Sequence, residues 1–144
     1  MRFTARPHHV GLSVADLDAE QRWYQQSLGL TEVIERVELQ EPPVRTVVLR
    51  APTGLRLELI ELAESQPSSA DNALEAARTQ TYGHLALDVS DVDVAFAELV
   101  AAGAHPVSPP SPGASPGVRF AYVQDPEGNL LELIQSRPTG ASHA

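Results

Sequence analysis

Pro52-Thr53-Gly54-Leu55-Arg56-Leu57-Glu58-Leu59-Ile60 and Pro126-Glu127-Gly128-Asn129-Leu130-Leu131-Glu132-Leu133-Ile134 decide the architecture, because they follow one pattern 74 positions apart. Both read as a Pro-x-Gly turn running into an apolar strand with a single carboxylate in it. Working outward, His9-Val10-Gly11-Leu12-Ser13-Val14-Ala15-Asp16 matches His84-Leu85-Ala86-Leu87-Asp88-Val89-Ser90-Asp91 at an offset of 75. Between these blocks, Leu28-Gly29 matches Ala102-Gly103, again 74 apart. Three matches in the same order make the chain two copies of one module of about 75 residues.

Each copy reads as βαβββ. Residues 8–14 alternate and suit a strand. Asp16 and Asp18 open a helix, since short acidic side chains accept from the free N–H groups of a first turn and favour its positive end. Leu17, Tyr24 and Leu28 form that helix's apolar stripe, and Gly29 stops it. Strands are expected near 31–39, 44–51 and 55–62, with Pro42-Pro43 and Pro52-Thr53-Gly54 as turns. The second copy predicts a strand at 83–90, a helix at 91–102 striped by Val92, Phe96 and Leu99, and strands near 104–108, 117–124 and 129–135. The fold class is α+β. Module one spans about 7–62, a linker 63–81, module two about 82–136 and a frayed tail 137–144, all in one domain. Residues 71–78 inside the linker suit a short helix. Ser108 to Gly117, with Pro109, Pro110, Pro112 and Pro116, reads either as a lid or as an ordinary surface loop.

Composition narrows the function. The 144 residues are 42% hydrophobic and carry a formal net charge of −9. That balance disfavours nucleic acid and anionic membranes as partners. No apolar run is long enough to cross a bilayer, and the first residues lack the apolar core of a secretory signal. There is no cysteine, so thiolate zinc sites, disulfides and Cys nucleophiles are excluded. A cytoplasmic protein with a small-molecule substrate is the expectation.

The chemistry sits on the repeat. His9 and His84 occupy equivalent first strands, and Glu58 and Glu132 equivalent last strands. A lone strand histidine is more often a packed or surface residue than a ligand, and Glu within Leu-Glu-Leu-Ile is ordinarily the solvent side of a strand. Recurrence of both residue types at both places shifts the balance towards a divalent-metal site. If the modules pair about a pseudo-twofold, the four side chains converge. Two imidazoles and two carboxylates suit zinc, nickel, cobalt, iron or manganese. Arg45 and Arg119 are also repeat mates, 74 apart, and are candidates to grip a substrate carboxylate or phosphate; the plainer alternative is two solvated strand arginines. His8 faces away from its neighbour His9 and reads as structural, while His105 and His143 have no repeat partner and read as surface residues.

His9-Val10-Gly11-Leu12-Ser13-Val14, Trp23-Tyr24 ahead of Leu28-Gly29-Leu30, Tyr82-Gly83-His84, and Asp125-Pro126-Glu127-Gly128-Asn129 leading to Glu132 together resemble the vicinal oxygen chelate superfamily. That superfamily includes glyoxalase I, methylmalonyl-CoA epimerase, extradiol dioxygenases, fosfomycin-resistance enzymes and bleomycin-binding proteins. The resemblance covers residues 7–136. It implies two tandem βαβββ modules forming an open, cup-shaped mixed sheet with helices outside, and a homodimer. The His, Glu, His, Glu order is most similar to bacterial glyoxalase I. The resemblance then implies a metal-dependent lyase or isomerase, with Glu132 and Glu58 carrying a proton beside a carbonyl. The family's strand arginine, which grips the glutathione carboxylate, is replaced here by Ser13, so a substrate other than a glutathione adduct is expected. Three alternatives stay open: a drug-binding resistance-type protein with a vestigial metal site, a metal-dependent dioxygenase, and an acyl-CoA epimerase. Thr46 stands where the epimerase resemblance calls for an acidic residue.

Overall fold

The computed structural model describes residues 3–136. The expected tail 137–144, with His143, lies outside the described residues. The chain divides into two compact units, 1–66 and 67–144. Unit one runs β1 (Val10–Val14), α1 (Leu17–Leu28), β2 (Glu32–Leu39), β3 (Val44–Arg50) and β4 (Arg56–Leu62). Unit two adds the short helix α2 (Ala73–Ala76), then repeats the order with β5 (Leu85–Asp88), α3 (Val92–Ala101), β6 (His105–Pro112), β7 (Arg119–Gln124) and β8 (Leu130–Gln135).

Each unit holds one four-stranded mixed sheet, ordered β1-β4-β3-β2 in the first and β5-β8-β7-β6 in the second. The first strand of each unit lies parallel to its last, and the other pairings are antiparallel. This follows from connection length. A helix is needed to return the chain for a parallel partner, whereas tight turns suffice for the antiparallel ones. The open, two-module α+β architecture expected from the repeat is therefore present, as two sheets of four strands.

Alternation on the strands sets the sides. Leu57 and Leu59 on β4, and Val47 and Leu49 on β3, are buried. So are Leu17, Trp23 and Tyr24 on α1, the two aromatic rings meeting edge-on at 4.9 Å. In unit two, Ala121, Val123, Leu131 and Leu133 bury beside Val92 and Leu99 of α3. One side of each sheet thus packs on a helix. The residues between, including Glu58 and Glu132, turn to the opposite side.

The helices begin in the same way twice. Asp16 accepts from the Ala19 N–H at 3.0 Å, and Asp91 from the Val94 N–H at 3.1 Å. The last strand supplies a second acceptor. Glu61 takes the Leu17 N–H at 2.8 Å, and its repeat mate Gln135 takes the Val92 N–H at 2.8 Å. Two of the four N–H groups a helix start leaves free are satisfied this way in each unit. Gly29 ends α1 at φ 69°, a left-handed cap that a Cβ disfavours.

One expectation is corrected. Ser108 to Pro112 is neither lid nor loop but part of β6. Among the described residues β6 pairs only with β7, so its other edge need not donate, and prolines are tolerated there. Its ladder shifts register between Pro106 and Ser108 and again between Ser108 and Ser111.

Candidate metal centre

β1 and β5 begin one residue after His9 and His84, so both histidines stand at the mouth of a first strand. Gly11 lies opposite Glu58 in the parallel ladder, and Ala86 lies opposite Glu132. Residues two apart share a side, so His9 and Glu58 face the same way, as do His84 and Glu132. The small residues at 11 and 86 leave the space over which each imidazole reaches its carboxylate. His9 Nε2 is 2.9 Å from Glu58 Oε2, and His84 Nε2 is 2.9 Å from Glu132 Oε2. All four side chains are partly exposed, at 34% and 25% in the first pair and 32% and 17% in the second, so a ligand can reach them. Each unit brings one such pair together, and among the described residues no group of three or more His, Asp or Glu side chains is placed to hold a metal ion.

The supports of the two pairs differ. His8 Nδ1 lies 2.7 Å from His9 Nδ1, with the rings edge-on at 5.0 Å, so His8 does not turn away from its neighbour as strand alternation predicts, both residues lying ahead of β1. Arg56 Nη1 lies 3.3 Å from His8 Nε2. The repeat mate of His8 is Gly83, and unit two uses a different support. The Tyr122 ring stands edge-on to His84 at 5.4 Å, and Tyr122 is directly opposite Glu132 in the β7–β8 ladder. Burial, then the neighbouring Glu132 charge, raise the Tyr122 phenol above its ordinary range.

The turn before β8 is tightly built. Asp125 is fully buried and accepts from the Glu127 and Asn129 N–H groups, both at 2.9 Å, and from Asn129 Nδ2 at 2.8 Å. Gly128 adopts φ 93°, as Gly54 does at 94° in the matching turn before β4. These turns fix where the strands bearing Glu132 and Glu58 start.

Arg45 and Arg119 lie on the helix-bearing sides. Arg45 is opposite Glu61 in the ladder, three residues from the position opposite Glu58. Its guanidinium bonds Glu61 at 2.9 and 3.0 Å and lies 3.5 Å from Asp18. The Glu61 bond, foremost, raises the Arg45 pKa and lowers that of Glu61. Arg119 bonds Asp93 on α3, which draws the Asp93 carboxyl below its usual range. Sequence reasoning passed over Arg50 and Arg56. Both share the Glu58 side of their sheet and line a hollow of about 480 Å³ with Thr31, Glu32, Ala51, Pro52 and Gly54. Arg50 is fork-bonded to Glu32 at 2.6–2.9 Å. The signal for Arg56 was its place two residues before Glu58. Its repeat mate is Leu130, so the repeat did not mark it.

The model of the Glyoxalase/Bleomycin resistance protein/Dioxygenase superfamily matches residues 6–133. The chain belongs to that superfamily. A relative from Vibrio cholerae, described as a probable lactoylglutathione lyase, is 27% identical over 133 residues, 92% of each chain. A lactoylglutathione lyase from Arabidopsis thaliana is 26% identical over 131 residues; these make up 91% of this chain but 44% of the longer plant one. In three dimensions, the glyoxalase family protein from Enterococcus faecalis aligns over 90% of this chain and 97% of its own, with a TM-score of 0.75 and 22% identity. That likeness shows the shared fold. Among the described residues no helix is long and apolar enough to cross a membrane.

Proposed function

We propose that this chain is a divalent-metal-dependent, glyoxalase-like lyase or isomerase that moves a proton on a carbon next to a carbonyl. The ligands in this proposal are His9, Glu58, His84 and Glu132. The observation that carries it is the 2.9 Å approach of an imidazole Nε2 to a carboxylate oxygen, made twice at repeat-equivalent places. The spacing fits a metal. Two donors each about 2.1 Å from one ion and at right angles to each other stand about 3 Å apart. The donor chemistry fits as well, since imidazole and carboxylate together suit borderline transition ions. The superfamily relationship and the lactoylglutathione lyase relatives support the reaction class.

The bound ion would supply Lewis-acid polarisation of a carbonyl oxygen. The chain's own residues supply the rest. His9 and His84 are the imidazole donors to the ion, His9 oriented by His8 through the other ring nitrogen. Glu132 and Glu58 are carboxylates beside the reacting carbon, one to accept a proton and either to return it. Ser13 stands two residues along β1 from Gly11, on the side of His9, and offers no guanidinium to a glutathione carboxylate. The preferred substrate is therefore a smaller α-hydroxycarbonyl or an acyl thioester. We retain a homodimer as part of the proposal.

Metal analysis followed by a substrate screen tests this reading. About one divalent ion per chain is expected, lost when His9→Ala and His84→Ala are combined. Proton exchange from solvent should appear with hemithioacetals, small hydroxycarbonyls or acyl-CoA thioesters. Unchanged metal content in the double variant would remove the ligand assignment. Oxygen uptake with catechols would move the chain to the dioxygenases, and drug binding without metal to the resistance proteins.

A further inference from the structure

The two His–Glu pairs are repeats of each other, but their cross-strand neighbours are not. Glu58 is opposite Val48 in the β3–β4 ladder, and Glu132 is opposite Tyr122 in the β7–β8 ladder. Directly opposed residues on an antiparallel pair share a side and hold their Cβ atoms about 5 Å apart. A valine there offers Glu58 only packing. A tyrosine offers Glu132 a hydroxyl donor at the tip of a rigid ring. The Tyr122 ring also stands edge-on to His84 at 5.4 Å and is itself braced edge-on by Phe120 at 6.0 Å. One side chain therefore meets His84 by its ring and lies directly across the ladder from Glu132, and a second aromatic fixes its angle.

Resting on the metal reading above, we infer that Tyr122 is a positioning residue for the His84–Glu132 half of the ligand set, holding the carboxylate by its hydroxyl and the imidazole by its ring edge. The phenol is neutral in this role and donates to the Glu132 carboxylate, leaving the other carboxylate oxygen free to bond an ion. A carboxylate so held loses fewer rotamers when it takes a ligand, which raises affinity without a new contact to the ion. Glu58 has no such brace from position 48. The two acidic ligands thus differ in how firmly each is held, although the sequence repeats them.

The test measures metal affinity, using the full chain and cobalt(II) or zinc alone as the probe, with apo-protein unfolding followed alongside. Tyr122→Phe removes the hydroxyl and keeps the ring, and should weaken binding about tenfold or more, as loss of an outer-shell partner does. Tyr122→Val installs the residue found at the repeat mate and should weaken it further. The decisive readout is a cycle with Glu132→Ala. If Tyr122 acts through Glu132, Tyr122→Phe should cost no further affinity once Glu132 is gone. A purely structural tyrosine would cost the same in both backgrounds. The cobalt absorption band should also shift in Tyr122→Phe. Affinity within twofold of the parent in Tyr122→Phe, or equal losses in both backgrounds, would overturn the inference while leaving the ligand set intact. A parent chain that binds no ion would overturn both.

Discussion

The duplicated helix start gives a stability prediction with an internal control. Glu61→Ala removes the acceptor for the Leu17 N–H, a bond of 2.8 Å on a residue that is 1% exposed. The remaining turn cannot replace it, because Asp16 is already committed to the Ala19 N–H. An unsatisfied, largely buried N–H costs about 1–3 kcal/mol, or roughly 3–10 °C in Tm for a chain of this length. Glu61→Gln should cost much less. Gln135 makes the equivalent bond to Val92 at the same 2.8 Å, so an amide oxygen suffices in that geometry. What Glu61→Gln loses is the charge facing Arg45, a partly exposed pair that salt screens. Acid separates the two effects. The Glu61 carboxyl is held below its ordinary value of 4.5, first by Arg45 and then by the Leu17 N–H. Its ionised form therefore stabilises the fold above that value, and the contribution is lost as pH falls through the lowered one. Parent and Glu61→Gln should converge in acid, while Glu61→Ala stays less stable than both. Gln135→Ala should behave like Glu61→Ala but without the pH dependence. Denaturant titrations of the four proteins at neutral and acid pH are the assay. Equal losses for Glu61→Gln and Glu61→Ala at neutral pH would refute the bond-sharing argument and assign the whole effect to charge.

Other substitutions probe the turn, the arginines and the proton carrier. Asp125→Ala removes three bonds of 2.8–2.9 Å from a fully buried carboxylate and should cost about 2–4 kcal/mol by denaturant titration. Asp125→Asn should recover part of this, because its oxygen can still accept from the backbone. Arg56→Ala should raise KM for a substrate bearing a carboxylate, whereas Arg45→Ala should leave KM unchanged and lower thermal stability; steady-state kinetics with charged and uncharged substrates separates them. Glu132→Gln should lower kcat far more than KM, since the amide keeps a carbonyl donor but accepts no proton. Normal deuterium exchange into substrate in that variant would move the proton carrier to Glu58.

What was legible in the sequence was whatever the repeat wrote twice. Asp16 and Asp91 predicted both helix starts, and the Pro-x-Gly turns predicted both final strands. The boundaries came out within a few residues, because Gly, Pro and short acidic side chains act locally. Composition misled at Ser108–Pro112. Four prolines within Ser108–Gly117 argue against a central strand, but β6 pairs on one edge only, and neighbour count is a property of the sheet that no local pattern carries. The two His–Glu pairs were legible because each needs only two residues of one unit at matching strand positions.

The sides of Arg45 and Arg56 were harder to see, and the reason is general to duplicated folds. Repeat matching marks residues that recur, and recurrence serves architecture at least as often as chemistry. Arg45 and Arg119 recur and both bond acidic side chains, Glu61 and Asp18 in one case and Asp93 in the other. Tyr122, His8 and Arg56 do not recur; their mates are Val48, Gly83 and Leu130. Yet these three lie within two contacts of the His–Glu pairs: His8 on His9, Arg56 on His8, and Tyr122 on His84 and across the ladder from Glu132. A duplicated scaffold gives two equal pairs, and only departures from the duplication can make them unequal. A reaction that takes a proton with one carboxylate and leaves another as ligand needs that inequality. Residues that break the repeat beside a repeated pair are therefore where substrate choice and proton direction should be sought in this chain.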